Sequence, residues 1–214
     1  MVGKRKYDDG CAVAQALDVI GERWALLVVR DLLLGPKRFT DLLKGLPGAS
    51  PDVLTQRLRD LDDAGVVQRR RLGPPAGTWV YELTPWGADL EQIVIGVARW
   101  AHESPHMRYD LPLGTDSVML SVKTLFDGHV AGDLEAKIAL TLNDEPFWIR
   151  VAEGDLAMAR GEIVRPDVSL DTDTATLVSL LQTDRTIDDA LADGELRLTG
   201  DRGVAEKLVA ALKR

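Results

Sequence analysis

The sequence contains a single cysteine, Cys11, in 214 residues. One thiol cannot close an intrachain disulfide, and such sparse use fits a reducing compartment. No apolar run approaches the roughly 18 residues of a membrane-spanning helix, and the opening MVGKRKYDDG has no apolar stretch of the kind a secretory leader carries. A soluble, cytoplasmic chain with no membrane partner is expected. Catalytic signatures are missing as well. There is no nucleophile elbow, no Walker loop and no dinucleotide-binding glycine pattern. Of the three histidines, His102 and His106 are four apart with Glu103 between them, but Pro105 breaks any continuous helix, and His129 stands alone. Asp171, Asp173, Asp184, Asp188 and Asp189 are spread through caps and turns rather than a calcium loop. No residue pairs a base with a nucleophile. The expectation is a non-enzyme with no metal and no cofactor.

The charge that is present is unevenly placed. The net charge is −8. The first 106 residues hold 14 basic and 14 acidic side chains, and the remainder hold 12 and 20. An acidic chain is a poor nonspecific polyanion binder, yet a neutral half with a local basic edge can still bind DNA. The length suits two domains of about 100 residues.

The polar edge is found in SPDVLTQRLRDLDDAG. Ser50 is a good N-cap, Pro51 fits the first helical position, and Gly65 suits the left-handed residue after the helix. Leu54, Leu58 and Leu61 mark the buried stripe, and Asp52, Thr55, Gln56 and Arg59 lie opposite. Hydroxyl, amide and guanidinium groups on that face suit base edges and phosphates, although a solvated helix face would look similar. The context favours DNA. A helix is expected from Cys11 to Ile20 on Val13, Leu17 and Ile20. A second runs from Glu22 to Leu34 with Trp24, Leu27, Val28 and Leu32 inward. A short third, Arg38 to Leu43, leaves Arg38 outside. A tight GLPGAS turn then leads into the polar-faced helix, which is the layout of a helix-turn-helix. Val66 to Leu72 and Trp79 to Leu83 read as two strands around GPPAG, with Pro74 and Pro75 in the loop. This hairpin is a wing, and Arg69, Arg70 and Arg71 on it form the densest basic run in the chain. Alternation sends them to both faces, so one or more should meet phosphate. Arg38 is a further phosphate candidate. Ser50, Thr55, Gln56 and Arg59 are the groove-facing candidates.

Thr84 and Pro85 open a last helix expected to reach His102. Leu90, Ile93, Val94, Val97 and Ala101 make an apolar stripe, and Trp86, Ile95, Ala98 and Trp100 widen it. Such a helix needs cover on two sides, and a twofold dimer on a palindromic site provides it.

Residues 11–102 resemble the HxlR family of winged-helix bacterial transcription regulators. The resemblance rests on Cys11, GERW at Gly21 to Trp24, RFTDL at Arg38 to Leu42, and LPG at Leu46 to Gly48. It continues through LTQRLRDL at Leu54 to Leu61, AGVVQRR at Ala64 to Arg70, Pro74-Pro75, VYELTPWG at Val80 to Gly87 and Trp100. It implies a homodimer built through the terminal helices of this domain, bound to an inverted repeat in double-stranded DNA. Ala12 stands where the family usually has proline, and Glu22-Arg23 where it has Gly-Lys. Some relatives sense oxidants or electrophiles through a cysteine at this place. Cys11 is a candidate sensor near Lys4, Arg5 and Lys6, with Asp8 and Asp9 opposing thiolate formation. A small packing residue is the other reading.

Residues 107–116 read as a linker. Beyond it, strands are expected at Ser117 to Phe126, Leu134 to Leu142, Pro146 to Ala152, Leu156 to Arg160 and Asp167 to Leu170. Helices follow at Thr174 to Gln182 and Ile187 to Ala192, then a strand at Leu196 to Leu198 and a helix at Gly203 to Leu212. Strands followed by helices indicate an α+β domain. The stretch Pro166 to Leu212 resembles the sterol carrier protein type 2-like domain, which implies an apolar cavity between sheet and helices. Phe126, Phe147, Trp148, Met158, Leu177 and Leu181 are candidate lining residues for a small apolar effector, or they fill a packed core.

The expected architecture is α+β. A winged helix-turn-helix domain at 1–106 is followed by a sterol-carrier-like domain at 117–214. The expected function is a dimeric DNA-binding regulator, a repressor, with a C-terminal domain for ligand sensing or dimerisation. The alternative is a lipid or acyl-chain carrier whose winged half serves only to dimerise.

Overall fold

The computed structural model describes residues 6–73, 76–108 and 110–213. The expectations for Pro74-Pro75 and for Lys4 and Arg5 fall outside them. The chain forms two compact units, one ending at Val97 and the other beginning at Ala98.

The first unit starts with α1 (Ala12–Ile20), α2 (Ala25–Leu32), α3 (Phe39–Gly45) and α4 (Pro51–Asp63). The hairpin of β1 (Val67–Arg71) and β2 (Trp79–Leu83) follows, then α5 (Pro85–Ala88) and α6 (Leu90–His102), which runs past the end of this unit at Val97. The α4 boundaries arise as the capping chemistry requires. The Ser50 hydroxyl accepts from the Val53 N–H at 3.3 Å, and Gly65 takes φ +75° beyond the end. Leu54, Leu58 and Leu61 are buried, as are Val28, Val29 and Leu42 of the same unit. Burying a leucine stabilises by about 1.5–3 kcal/mol, so this stripe fixes which face α4 turns outward.

α2 starts later than its periodicity suggests, because Trp24 at its N-cap lies in the left-handed region at φ +77°. The inward stripe is consequently Ala25, Val28, Val29 and Leu32, and Leu27, expected inside, is exposed. The helix expected from Pro85 to His102 is interrupted at Asp89. Of the apolar side chains named for it, only Val94 and Ile95 are buried, and Trp86, Ile93, Val97 and Trp100 remain exposed. Gly87 is required where α5 meets the hairpin. A Cβ there would stand 1.9 Å from the Val66 carbonyl oxygen.

The second unit contains α7 (Thr115–Leu125), α8 (Gly128–Ala131), β3 (Ala136–Leu142), β4 (Glu145–Ala152), β5 (Asp155–Arg160), β6 (Val168–Thr172), α9 (Thr174–Gln182), α10 (Ile187–Ala192), β7 (Leu196–Gly200) and α11 (Arg202–Leu212). The strand expected at Ser117 to Phe126 is a helix. Val118, Met119, Leu120 and Val122 are all buried, as are Asp116 and Thr124. A helix covered on most sides shows no 3.6-residue stripe, and its loose alternation imitates a strand. The sheet order is β5-β4-β3-β6-β7, antiparallel throughout except for the parallel β3–β6 pair. Asn143 and Asp144 both have positive φ, the two-residue turn that matches strand twist and fixes the β3–β4 register. The inward row of β3 and β4 includes Ile138, Leu140, Phe147 and Ile149, and α11 packs near α7, α8, α9 and β6. The fold is α+β, with a winged helix-turn-helix unit followed by a mixed-sheet unit.

Candidate nucleic-acid interface

α3, the turn after it, and α4 form the helix-turn-helix. Ser50, Gln56 and Arg59 are exposed on α4 or its cap, and Thr55 is half-buried. Their hydrogen-bonding capacity differs. Thr55 donates its hydroxyl to the Pro51 carbonyl at 2.7 Å, and Gln56 Nε2 donates to Asp60 Oδ1 at 2.9 Å. Arg57 is turned to the flank, where it pairs with Asp60 at 2.8 Å and Glu22 at 3.6 Å. Glu22 and Arg23 therefore both have a structural use, since Arg23 stacks on Trp24 at 5.0 Å. The Arg59 guanidinium has no hydrogen bond or ion pair with any described residue, and the same holds for the guanidinium of the exposed Arg38 at the N-cap of α3.

The wing divides its three arginines by strand alternation. Arg69 and Arg71 share a face with Tyr81 and Trp79, their register partners. The Arg69 guanidinium lies 4.7 Å from the Trp79 ring centroid and 6.0 Å from that of Tyr81. Arg71 Nε donates to the Gly77 carbonyl at 3.1 Å, which holds it near the hairpin tip. Arg70 is on the other face and forms a two-pronged pair with Glu82 at 2.7 Å for each contact. The Arg70 guanidinium in turn holds the Glu82 carboxyl below the usual glutamate range, against partial burial and with help from Gln68. Glu82, Trp79 and Tyr81 were not recognised from sequence. Their register opposite the arginine run was the available signal.

Beneath this surface lies an ion cluster that periodicity did not disclose. Asp31 on α2 has zero exposure and pairs with Arg30 at 2.7 Å and with Lys37 at 3.8 Å.

The HTH-type transcriptional regulator YvaP of Bacillus subtilis is 36% identical to this chain over 89 residues, which span 42% of this chain and 82% of YvaP. Residues 19–108 match the HxlR-like helix-turn-helix family. The chain belongs to that family. Residues 129–213 of this HxlR-like regulator match the SCP-2 sterol transfer family. YodB of Bacillus subtilis, another HTH-type transcriptional regulator, is 31% identical over 88 residues, 41% of this chain and 79% of YodB. Among solved structures, the oxidised redox regulator HypR matches with a TM-score of 0.42 at 31% identity, over 45% of this chain and all of its own. The curated relatives are HTH-type transcriptional regulators, and this HxlR-like chain is a regulator of that kind.

The second unit distributes its candidate pocket residues. Phe147 and Met158 are buried on the helix-covered face of the sheet, and Leu177 and Leu181 are buried on α9. Phe126 is half-buried at the C-cap of α7. Trp148 alternates to the opposite sheet face from Phe147, so the six do not converge on one cavity. An open cleft of about 620 Å³ lies instead where α7, α9 and α11 end, with Leu125, Leu181 and Leu212 beside Gln182 and Lys213. Leu181 is the one candidate that borders it. Cys11 is exposed at the N-cap of α1. The helix N–H groups of Ala14 and then Val13 pull its thiol below the usual value, against a small opposing desolvation. Among the described residues no group of three His, Cys, Asp or Glu side chains could hold a metal, and no helix is long and apolar enough to cross a membrane.

Proposed function

We propose that this regulator acts in the cytoplasm as a homodimeric repressor on an inverted-repeat operator. The observation that carries this reading is the pair of uncommitted guanidiniums, Arg59 on the outer face of α4 and Arg38 at the start of α3. α4 would enter the major groove, with Arg59 and Gln56 at base edges and Ser50 and Thr55 at the groove wall. Arg38, Arg69 and Arg71 would hold phosphates, and Arg70 would contribute less because Glu82 neutralises it. A carrier with a purely dimerising winged half would have no use for this arrangement.

Exposed apolar side chains support the dimer. Val13 and Leu17 on α1 and Ile93 and Val97 on α6 are each at least 40% exposed. An apolar groove of about 430 Å³ runs between α1 and α5–α6, with Ile93 in its wall. A twofold contact would cover the same surface on both copies. The second unit would sense a small apolar effector, with the cleft at the ends of α7, α9 and α11 as its site. Cys11 is the candidate thiol for a response to oxidants or electrophiles.

The test is binding of the purified protein to duplex DNA from its own upstream region, titrated with salt. One inverted repeat should compete above random DNA, with affinity falling steeply as salt rises. Equal affinity for random DNA at every salt concentration would overturn the reading.

A further inference from the structure

We infer that Asp31 is the positioning residue that sets the recognition helix and the wing in register with each other for DNA, an inference that rests on the DNA-binding reading above. The carboxylate is completely buried, with Arg30 at 2.7 Å and Lys37 at 3.8 Å. Burying charges costs heavily in lost hydration, and a well-packed apolar replacement often stabilises as much or more. Stability alone therefore gives a weak reason for this cluster. Its connections give a better one.

Each cation leads to a different DNA-facing element. Arg30 also reaches the Gly45 carbonyl at 3.5 Å, at the end of α3, from which the short turn enters α4. Gly45 is matched to the carboxylate, since a Cβ there would stand 2.4 Å from Asp31 Oδ2. Lys37, only 8% exposed, is bound through its backbone to the wing. Its N–H donates to the Tyr81 carbonyl at 2.9 Å, and its carbonyl accepts from the Tyr81 N–H at 2.8 Å. Tyr81 is part of the aromatic pair beside Arg69, and the residue after Lys37 is the exposed Arg38. One buried carboxylate thus joins the turn before α4 to the strand that carries the wing aromatics. Phosphate contacts from Arg38 and Arg69 require both to hold their places together.

The experiment compares the wild type with two variants, Asp31→Asn/Lys37→Met and Gly45→Ala, on an inverted-repeat duplex and on random duplex. The first removes the Asp31 carboxylate together with the buried Lys37 ammonium, and leaves Arg30, 16% exposed and within reach of the Gly45 carbonyl, as the one charge of the cluster. The second leaves the charges in place and crowds the carboxylate, while alanine for glycine favours the helix itself. Binding against salt and thermal unfolding are both recorded. For both variants we expect a cooperative unfolding transition and operator affinity reduced by about tenfold or more. The salt slope should become shallower by about one for each phosphate that the variant no longer holds. Wild-type affinity and slope in a folded variant would overturn the inference and leave the DNA reading standing. So would an affinity loss that follows the unfolded fraction with an unchanged slope, because that marks a purely structural residue. Failure of the wild-type protein to prefer the operator would overturn the DNA reading, and this inference with it.

Discussion

Arg70 and Glu82 are joined diagonally across the wing by two hydrogen bonds of 2.7 Å, which commits one of three consecutive arginines to its own protein. Glu82→Gln should release that charge. Operator affinity should rise and the salt slope should steepen by up to about 0.9 if Arg70 then reaches a phosphate. The pair is partly exposed and screened by solvent, so it contributes little to stability. The pH dependence has a definite sign. Because the folded Glu82 carboxyl is lowered, its stabilisation is present above the unfolded glutamate value and is lost as pH falls through the folded one. Wild type and Glu82→Gln should therefore differ in unfolding midpoint at neutral pH, and the difference should shrink only once the pH drops below the ordinary glutamate value of about 4.3 and vanish below the folded one. A constant difference down to acid would show that the pair is not the cause.

Arg59 and Gln56 are neighbours on α4 with different freedom. The Gln56 side chain is tied to Asp60, and the Arg59 guanidinium is bound to no described residue. Arg59→Ala should cost about 1–3 kcal/mol on the operator and relax preference at one base position if it reads a base. Gln56→Ala should cost less, because engaging DNA requires Gln56 to give up an existing hydrogen bond. Competition against single-base operator variants measures both. Wild-type affinity for Arg59→Ala would remove it from the interface.

The parts of the fold legible in the sequence were those set by local chemistry. Ser50, Asp173 and Thr186 cap α4, α9 and α10, and all three helices begin at the expected residues. The wing followed from two β-rich runs around a Gly/Pro turn. What escaped depended on partners distant in the chain. α7 lost its helical signature because it is covered on most sides. Asp31 sits on an apolar helix face, where periodicity predicts no charge, and its justification lies in Lys37 and Gly45. The division of Arg69, Arg70 and Arg71 needed the strand register, which decides that Glu82 and not Trp79 meets Arg70. The pocket residues were chosen by type, and sheet alternation separates Trp148 from Phe147.

Cys11 combines exposure with the N-terminal end of α1. The N–H groups of Ala14 and Val13 favour its thiolate. Iodoacetamide alkylation of the native protein should show a rate midpoint below the roughly 8.5 of an ordinary thiol, and the protein unfolded in urea should return to that value. The two profiles can be compared directly because the chain has one cysteine. Coincident midpoints would remove the physical basis for a reactive thiol. A lowered midpoint followed by loss of operator binding on alkylation would support sensing.

The exposed apolar side chains of α1 and α6 give the last prediction. Leu17 is 40% exposed, Ile93 47% and Val97 48%, although their helices also carry buried side chains, Ile20 on α1 and Val94 and Ile95 on α6. Placing these residues against a second copy removes apolar area from water at about 25 cal/mol per Å², which an isolated chain forgoes. Ile93→Asp and Val97→Asp should fold, since neither residue is in the core, and both should shift the protein to monomer in sedimentation equilibrium. Half-site DNA should still bind them weakly. The full inverted repeat should lose the gain from binding two joined subunits, which reaches about 10²-fold or more when geometry permits both to engage. A variant that remains dimeric with unchanged operator affinity would place the subunit interface elsewhere on the chain. A monomeric wild type would leave the inverted repeat without a symmetric reader, and single half-sites would then be the appropriate target.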